Sequence, residues 1–68
     1  MSEINKRVSN NIHKFRKAKS WTQEELALKT GLHRAYIGQI ERCEKSIGLT
    51  NLKKIADALE IDIRILFD

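Results

Sequence analysis

The 68-residue chain has no proline, a single cysteine, three glycines and few aromatic residues: one tryptophan, one tyrosine and two phenylalanines. No apolar run exceeds three residues, which excludes a membrane-spanning helix and the core of a secretory signal peptide. A lone cysteine, Cys43, excludes an internal disulfide framework and a zinc site built on several cysteines. No stretch rich in Pro, Gly or Ser divides the chain, and no repeat or low-complexity tract runs through it. Strands are not expected, because β-branched residues do not cluster and no two-residue alternation is sustained. The few aromatics offer no platform for stacking bases, and Trp21 and Phe15 are expected in the core.

Charge and helical periodicity are present in quantity. Charged residues make up 32% of the chain and apolar residues 41%, the balance of a globular domain rather than a disordered tail. One domain spanning 1–68 is expected, and a domain this small buries only about 60% of its unfolded surface. Without a covalent staple it needs a well-idealised core or help from a partner subunit. Thirteen Lys and Arg against nine Asp and Glu give +4 and an isoelectric point near 9.5, which suits a polyanionic partner. The charge is polarised. Lys6, Arg7, Lys14, Arg16, Lys17 and Lys19 face only Glu3 in the first twenty residues, while Asp57, Glu60, Asp62 and Asp68 face only Arg64 in the last twelve. Two solvated helix faces account for this pattern, and so does a basic end turned to phosphate.

Five short helices are expected, an all-α fold. Val8, Ile12 and Phe15 recur at helical spacing, extended by Ile4 and Ala18, and define a helix over roughly 3–18. Thr22 and Glu25 form a capping box, and Trp21 with Leu26 suits a hydrophobic staple, so a second helix begins at Gln23. Gly31 tolerates positive φ and ends it. A third helix runs from about His33 to Arg42 with Tyr36, Ile37 and Ile40 on its apolar face. A fourth runs from about Thr50 to Leu59 with Leu52, Ile55, Ala56 and Leu59 inward. Asp62 caps a short fifth, Ile63 to Phe67.

The second and third helices carry the functional signal. Counted from Gln23, Ala27 is the fifth residue, Gly31 the ninth, Ile37 the fifteenth and Ile40 the eighteenth. Two steeply crossing helices need a small side chain at the crossing, which Ala27 supplies, and a turn residue free of Cβ strain, which Gly31 supplies. Ile37 and Ile40 pin the third helix to the core. Arg34, Ala35, Gly38, Gln39 and Arg42 then form one outward stripe with two guanidinium groups and an amide. This is the logic of a helix-turn-helix unit, about 22–42, whose second helix enters the major groove. Arg pairs bidentately with guanine O6 and N7, and Gln with adenine N6 and N7. Gln23, at the free N–H groups of its helix, suits a phosphate.

Residues 9–67 resemble the lambda-repressor-like helix-turn-helix domain of the Xre and Cro type of transcriptional regulator. The resemblance lies in Arg16-Lys17-Ala18-Lys19-Ser20-Trp21-Thr22-Gln23-Glu24-Glu25-Leu26-Ala27, in Tyr36-Ile37-Gly38-Gln39-Ile40-Glu41-Arg42, in Ile55-Ala56-Asp57-Ala58-Leu59 and in Leu66-Phe67. It implies base contacts from Arg34, Ala35 and Gln39, and phosphate contacts from Gln23, Tyr36 and Arg42. It also implies an ion pair between Arg16 and Glu41 that locks the third helix. With no extra domain, the resemblance extends to small stand-alone members, including controller proteins of restriction–modification systems. Those imply a DNA contact from Lys45, homodimers on paired half-sites and a cytoplasmic, nucleoid-associated location. The chain departs from the family pattern at Ser20 and Cys43, where Gly is usual, at Ile47, where Pro is frequent, and at Gly48, where Ser or Thr caps the fourth helix. Cys43 would strain an αL turn. Ala35 shortens a reading position and suits a thymine methyl.

Several residues carry two readings. His33, opening the third helix, suits a phosphate contact or plain exposure. His13 reads as a surface histidine rather than a metal ligand, because no second His or Cys shares its face. Cys43 stands between a cation-activated thiol and an inert small residue. Ile61, Ile63, Ile65 and Phe67 put apolar groups on more than one face of the last helix. They suit a two-fold dimer seam over about 57–67, with help from the end of the fourth helix, or a helix folded onto its own core with one exposed Ile. No nucleophile–base pair, Gly-rich phosphate loop or carboxylate pair is evident, so no enzyme, cofactor, metal or small-molecule ligand is expected. The expected partner is double-stranded DNA, bound by a homodimer at a near-palindromic operator, with no membrane contact. The alternative is a helix-turn-helix module whose main partner is another protein, as in an antitoxin or co-activator.

Overall fold

The computed structural model describes residues 2–68, and its architecture follows from where each helix can start and stop. Helix α1, Glu3–Ala18, opens under Ser2, whose hydroxyl accepts from the Asn5 amide at 3.2 Å. The chain then turns through Ser20 at φ 60°. Helix α2, Gln23–Thr30, carries the expected capping box, with the Glu25 amide donating to Thr22 Oγ1 at 3.0 Å and the Thr22 amide to Glu25 Oε1 at 3.1 Å. It ends at Gly31, φ 73°, whose amide bonds the Ala27 carbonyl. Helix α3, Arg34–Glu41, and helix α4, Leu49–Leu59, follow. Gly48 caps α4 with no side-chain hydrogen bond, as the missing Ser or Thr foretold.

The last element is a 3-10 helix, Ile63–Phe67, and not the fifth α-helix expected. Asp62 caps it as anticipated, its Oδ1 accepting from the Arg64 amide at 2.9 Å. The Ile65 amide reaches back to the Asp62 carbonyl and the Asp68 amide to that of Ile65, three residues each. Five residues are too few to repay the nucleation of an α-helix, and the tighter spiral is the common form of so short a piece. Helix α1 clamps it: Asn11 Nδ2 donates to the carbonyls of Leu66 and Asp68 at 3.0 and 2.9 Å.

The core comprises Val8, Ile12, Leu26, Ala27, Ile37, Ile40, Leu52, Ile55, Ala56, Leu59 and Leu66, so every element contributes. Full burial of each Leu or Ile among them is worth about 1.5–3 kcal/mol. Phe15, Trp21, Tyr36 and Ile47 pack around it, half-buried. The stripe on α1 is shorter than its periodicity suggested. Ile4 is 50% exposed and Ala18 is also exposed. The buried line on α1 runs through Val8, Ser9, Ile12 and Arg16, and at about 100° per residue Ile4 and Ala18 fall to one side of it. Ser9 and Arg16 are buried on α1 instead.

Candidate nucleic-acid interface

The α2–turn–α3 unit has the geometry its spacing predicted. Ala27 is buried where α3 passes, Gly31 adopts the left-handed conformation at the turn, and Ile37 and Ile40 are 0% and 1% exposed. These anchors turn the other side of α3 outward. Arg34 and Ala35, at its N-terminal end, are exposed, and Gln39 is half-buried. Gly38 is a correction to the outward stripe, because it is buried. The Arg42 guanidinium and the Gln23 amide lie over it. A Cβ at Gly38 would stand 3.0 Å from Arg42 Nη1 and 3.4 Å from Gln23 Oε1.

Glu41 holds α3 from behind. Its side chain is 2% exposed, and Arg16, 7% exposed, grips it with a two-pronged bond, Nε to Oε2 at 2.7 Å and Nη2 to Oε1 at 2.9 Å. Arg16 Nη1 also donates to the Trp21 carbonyl at 2.6 Å, tying in the α1–α2 connection. His13 Nδ1 lies 2.9 Å from Glu41 Oε1, and Gln23 Nε2 donates to the same oxygen at 3.2 Å. Burial pushes the Glu41 carboxyl up, but the hydrogen bonds from Arg16, His13 and Gln23 outweigh it and hold the carboxyl below its usual range. The expected Arg16–Glu41 pair is therefore present, and it is one part of a cluster joining α1, α2 and α3.

The residues assigned to phosphate are placed unevenly. Arg42 is exposed and forked onto Glu44, with Nε to Oε2 at 2.7 Å and Nη2 to Oε1 at 3.1 Å. Gln23 spends one amide hydrogen on Glu41. Tyr36 is half-buried, and its hydroxyl accepts from Asn51 Nδ2 of α4 at 3.0 Å, which leaves its own proton to donate. His33 caps α3, its Nδ1 accepting from the Ala35 amide at 3.1 Å. That bond places the neutral ring proton on Nε2, a donor at the mouth of the helix. Lys45 is exposed in the loop after α3. Arg34 stands 3.9 Å from Glu24 on α2. An open hollow of 490 Å³ beside these two is lined also by Ala27, Leu28, Gly31, Leu32 and His33.

Sequence reasoning missed four contributions: His13 and Gln23 at Glu41, His33 as a cap, Glu44 on Arg42, and Asn51 on Tyr36. The His33 cap was accessible from the boundary of α3. The other three need tertiary placement or an αL turn. Of the four residues assigned to a dimer seam, Ile61, Ile63 and Phe67 pack partly against their own core, and Ile65 is 37% exposed. No helix among the described residues is long and apolar enough to cross a membrane.

The helix-turn-helix family matches residues 12–66. A hypothetical transcription factor of Neisseria meningitidis is 45% identical over 51 residues, 75% of this chain, and the chain spans 48% of that relative's length. The crystal structure of the restriction–modification controller protein C.AhdI from Aeromonas hydrophila superposes with a TM-score of 0.89 at 38% identity, covering 93% of this chain and 96% of that one. The controller protein C.Esp1396I, solved as a tetramer with its natural 35 base-pair operator, gives 0.90 at 37% identity, covering 98% and 88%. With the turn, the anchors and the outward N-terminal half of α3 in place, the chain belongs to the helix-turn-helix family.

Proposed function

We propose that the chain is a sequence-specific double-stranded DNA-binding transcriptional regulator of the restriction–modification controller type, acting as a homodimer on a near-palindromic operator. The observation that carries this reading is the exposed N-terminal half of α3, held out by Ala27, Gly31, Ile37 and Ile40 and locked by Arg16–Glu41. Arg34 reads guanine through its guanidinium fork, Ala35 meets a thymine methyl, and Gln39 reads adenine. Gln23, His33, Tyr36, Arg42 and Lys45 hold backbone phosphates and set the register. The likeness to a controller protein bound to its operator supports the reading. Residues 1–68 act as one domain in the cytoplasm, with the dimer seam centred on Ile65, and the chain performs no catalysis.

Selection of bound duplexes from a random pool tests this. A two-fold symmetric consensus is expected, and Arg34→Ala should relax one position in each half-site, a cost of about 1–3 kcal/mol per site. A pool that stays unenriched removes the reading in favour of a protein-binding module.

A further inference from the structure

Glu44 has no place in the DNA-binding reading, yet it occupies one of that reading's cations. Its two carboxylate oxygens accept from Arg42 Nε at 2.7 Å and Nη2 at 3.1 Å. This is the fork by which an arginine grips a phosphate. The backbone brings the two together. Cys43 takes φ 58°, and the turn is fixed by the Cys43 amide on the Ile40 carbonyl at 3.0 Å and the Glu44 amide on the Gln39 carbonyl at 2.8 Å. On its other side the guanidinium lies over Gly38, with Nη1 3.0 Å from where a Cβ would stand there, beside Gln23.

We propose that Glu44 is an internal stand-in for phosphate, which occupies Arg42 in the free protein and must be exchanged for a DNA phosphate on binding. The inference rests on the DNA-binding reading above. Two other pairs set it apart. Arg16–Glu41 has the same fork but is buried, 7% and 2% exposed, and is permanent. Arg42–Glu44 is 58% and 53% exposed, so water can take over each bond as it breaks. Arg34, the base reader, has only a loose contact to Glu24 at 3.9 Å, and its fork is free. The carboxylate thus sits on the cation that would meet any duplex and spares the one that would choose among them. Displaced, Glu44 leaves its negative charge beside the incoming phosphate. Affinity for DNA of every sequence is lowered, and this sequence-independent component is the part that salt controls.

The test uses the full chain and a fluorescent duplex of random sequence, with binding read by anisotropy between 50 and 300 mM salt. Glu44→Gln should tighten binding about 3–10-fold at 100 mM salt and steepen the plot of log affinity against log salt by up to about one unit. Glu60→Gln, which removes the carboxylate of another exposed pair, Lys19–Glu60 at 3.3 Å, is the matched control for net charge and should do less. In an Arg42→Gln background the Glu44→Gln gain should disappear, because the pair is the unit. A Glu44→Gln gain no larger than the Glu60→Gln gain, or one that persists without Arg42, overturns the inference while leaving the DNA-binding reading intact. A native chain with no salt-dependent affinity for the duplex overturns both.

Discussion

Glu41 takes four hydrogen bonds from three side chains on two helices, and its burial is tolerable only because they all form. Among the described residues no buried side-chain polar atom lacks a partner. A buried pair of this kind contributes little beyond a well-packed apolar substitute, yet removing one member leaves the other charged and dry. Glu41→Gln should therefore cost about 3 kcal/mol at neutral pH, with Arg16 stranded. The pH dependence has a definite sign. The folded carboxyl ionises below its unfolded value of about 4.3, so its stabilisation is complete above that value and is lost as pH falls through the folded value. Urea unfolding of the native chain and of Glu41→Gln at pH 7, 5, 4 and 3 should show a gap that is the same at pH 7 and 5 and narrows only below the unfolded value, at pH 4 and 3. A gap independent of pH would mean that the carboxylate charge is not what locks α3. The Arg16–Glu41 pair was legible through resemblance to a family. His13 and Gln23 were not, since they lie 28 and 18 residues from Glu41 and only the packing of three helices brings them there.

Helix ends account for what the sequence revealed best and for one cost it carries. The capping box at Thr22 and the stop at Gly31 were readable because each is a local pattern with its own hydrogen bonds. The 3-10 form of the last element was not, because one turn of sequence cannot distinguish a bond to the third residue from one to the fourth. Ile4 and Ala18 were misplaced for a related reason: spacing marks a broad face, and the packed elements bury only the side of it centred on Val8, Ile12 and Arg16. Three of the four α-helices are followed by a residue other than glycine at positive φ, namely Ser20, Cys43 and Glu60. Each is held by a pair of backbone bonds, such as Ser20 to Lys17 and Trp21 to Arg16, at 2.9 and 3.2 Å. A residue with a Cβ costs about 1–2 kcal/mol in that conformation. Cys43→Gly should therefore stabilise the fold by about 1 kcal/mol, read as a higher urea midpoint at constant slope. Gly31→Ala is the mirror case. A Cβ there meets nothing within 4 Å, so its expected loss of about 1 kcal/mol is conformational alone. If Cys43→Gly leaves the midpoint unmoved, the αL turn after α3 carries no strain.

At the scale of the molecule, size forces the question of a second copy. The fold extends 27 × 23 × 21 Å, less than the roughly 34 Å between half-sites one DNA turn apart. One chain therefore reaches one half-site. A single module buries little DNA surface, so useful affinity comes from linking two. The C-terminal 3-10 helix is the element suited to that link. Asn11 of α1 holds the backbone oxygens of Leu66 and of the capping Asp68 at 3.0 and 2.9 Å, and Arg7 that of Phe67 at 3.4 Å. Leu66 fills the core, and Ile65 is left at the surface. The apolar crowding of residues 61–67 was legible in the sequence, but its division was not: Ile61, Ile63 and Phe67 pack partly inward, and Ile65 stays at the surface. If the seam lies there, Ile65→Glu should separate the subunits without unfolding them, because Ile65 is 37% exposed and lies outside the buried core. Sedimentation equilibrium should show the native chain as a dimer and Ile65→Glu as a monomer with unchanged helical circular dichroism. Affinity for a two-half-site duplex should fall steeply while affinity for a single half-site stays the same. A variant that still sediments as a dimer would move the seam away from the 3-10 helix.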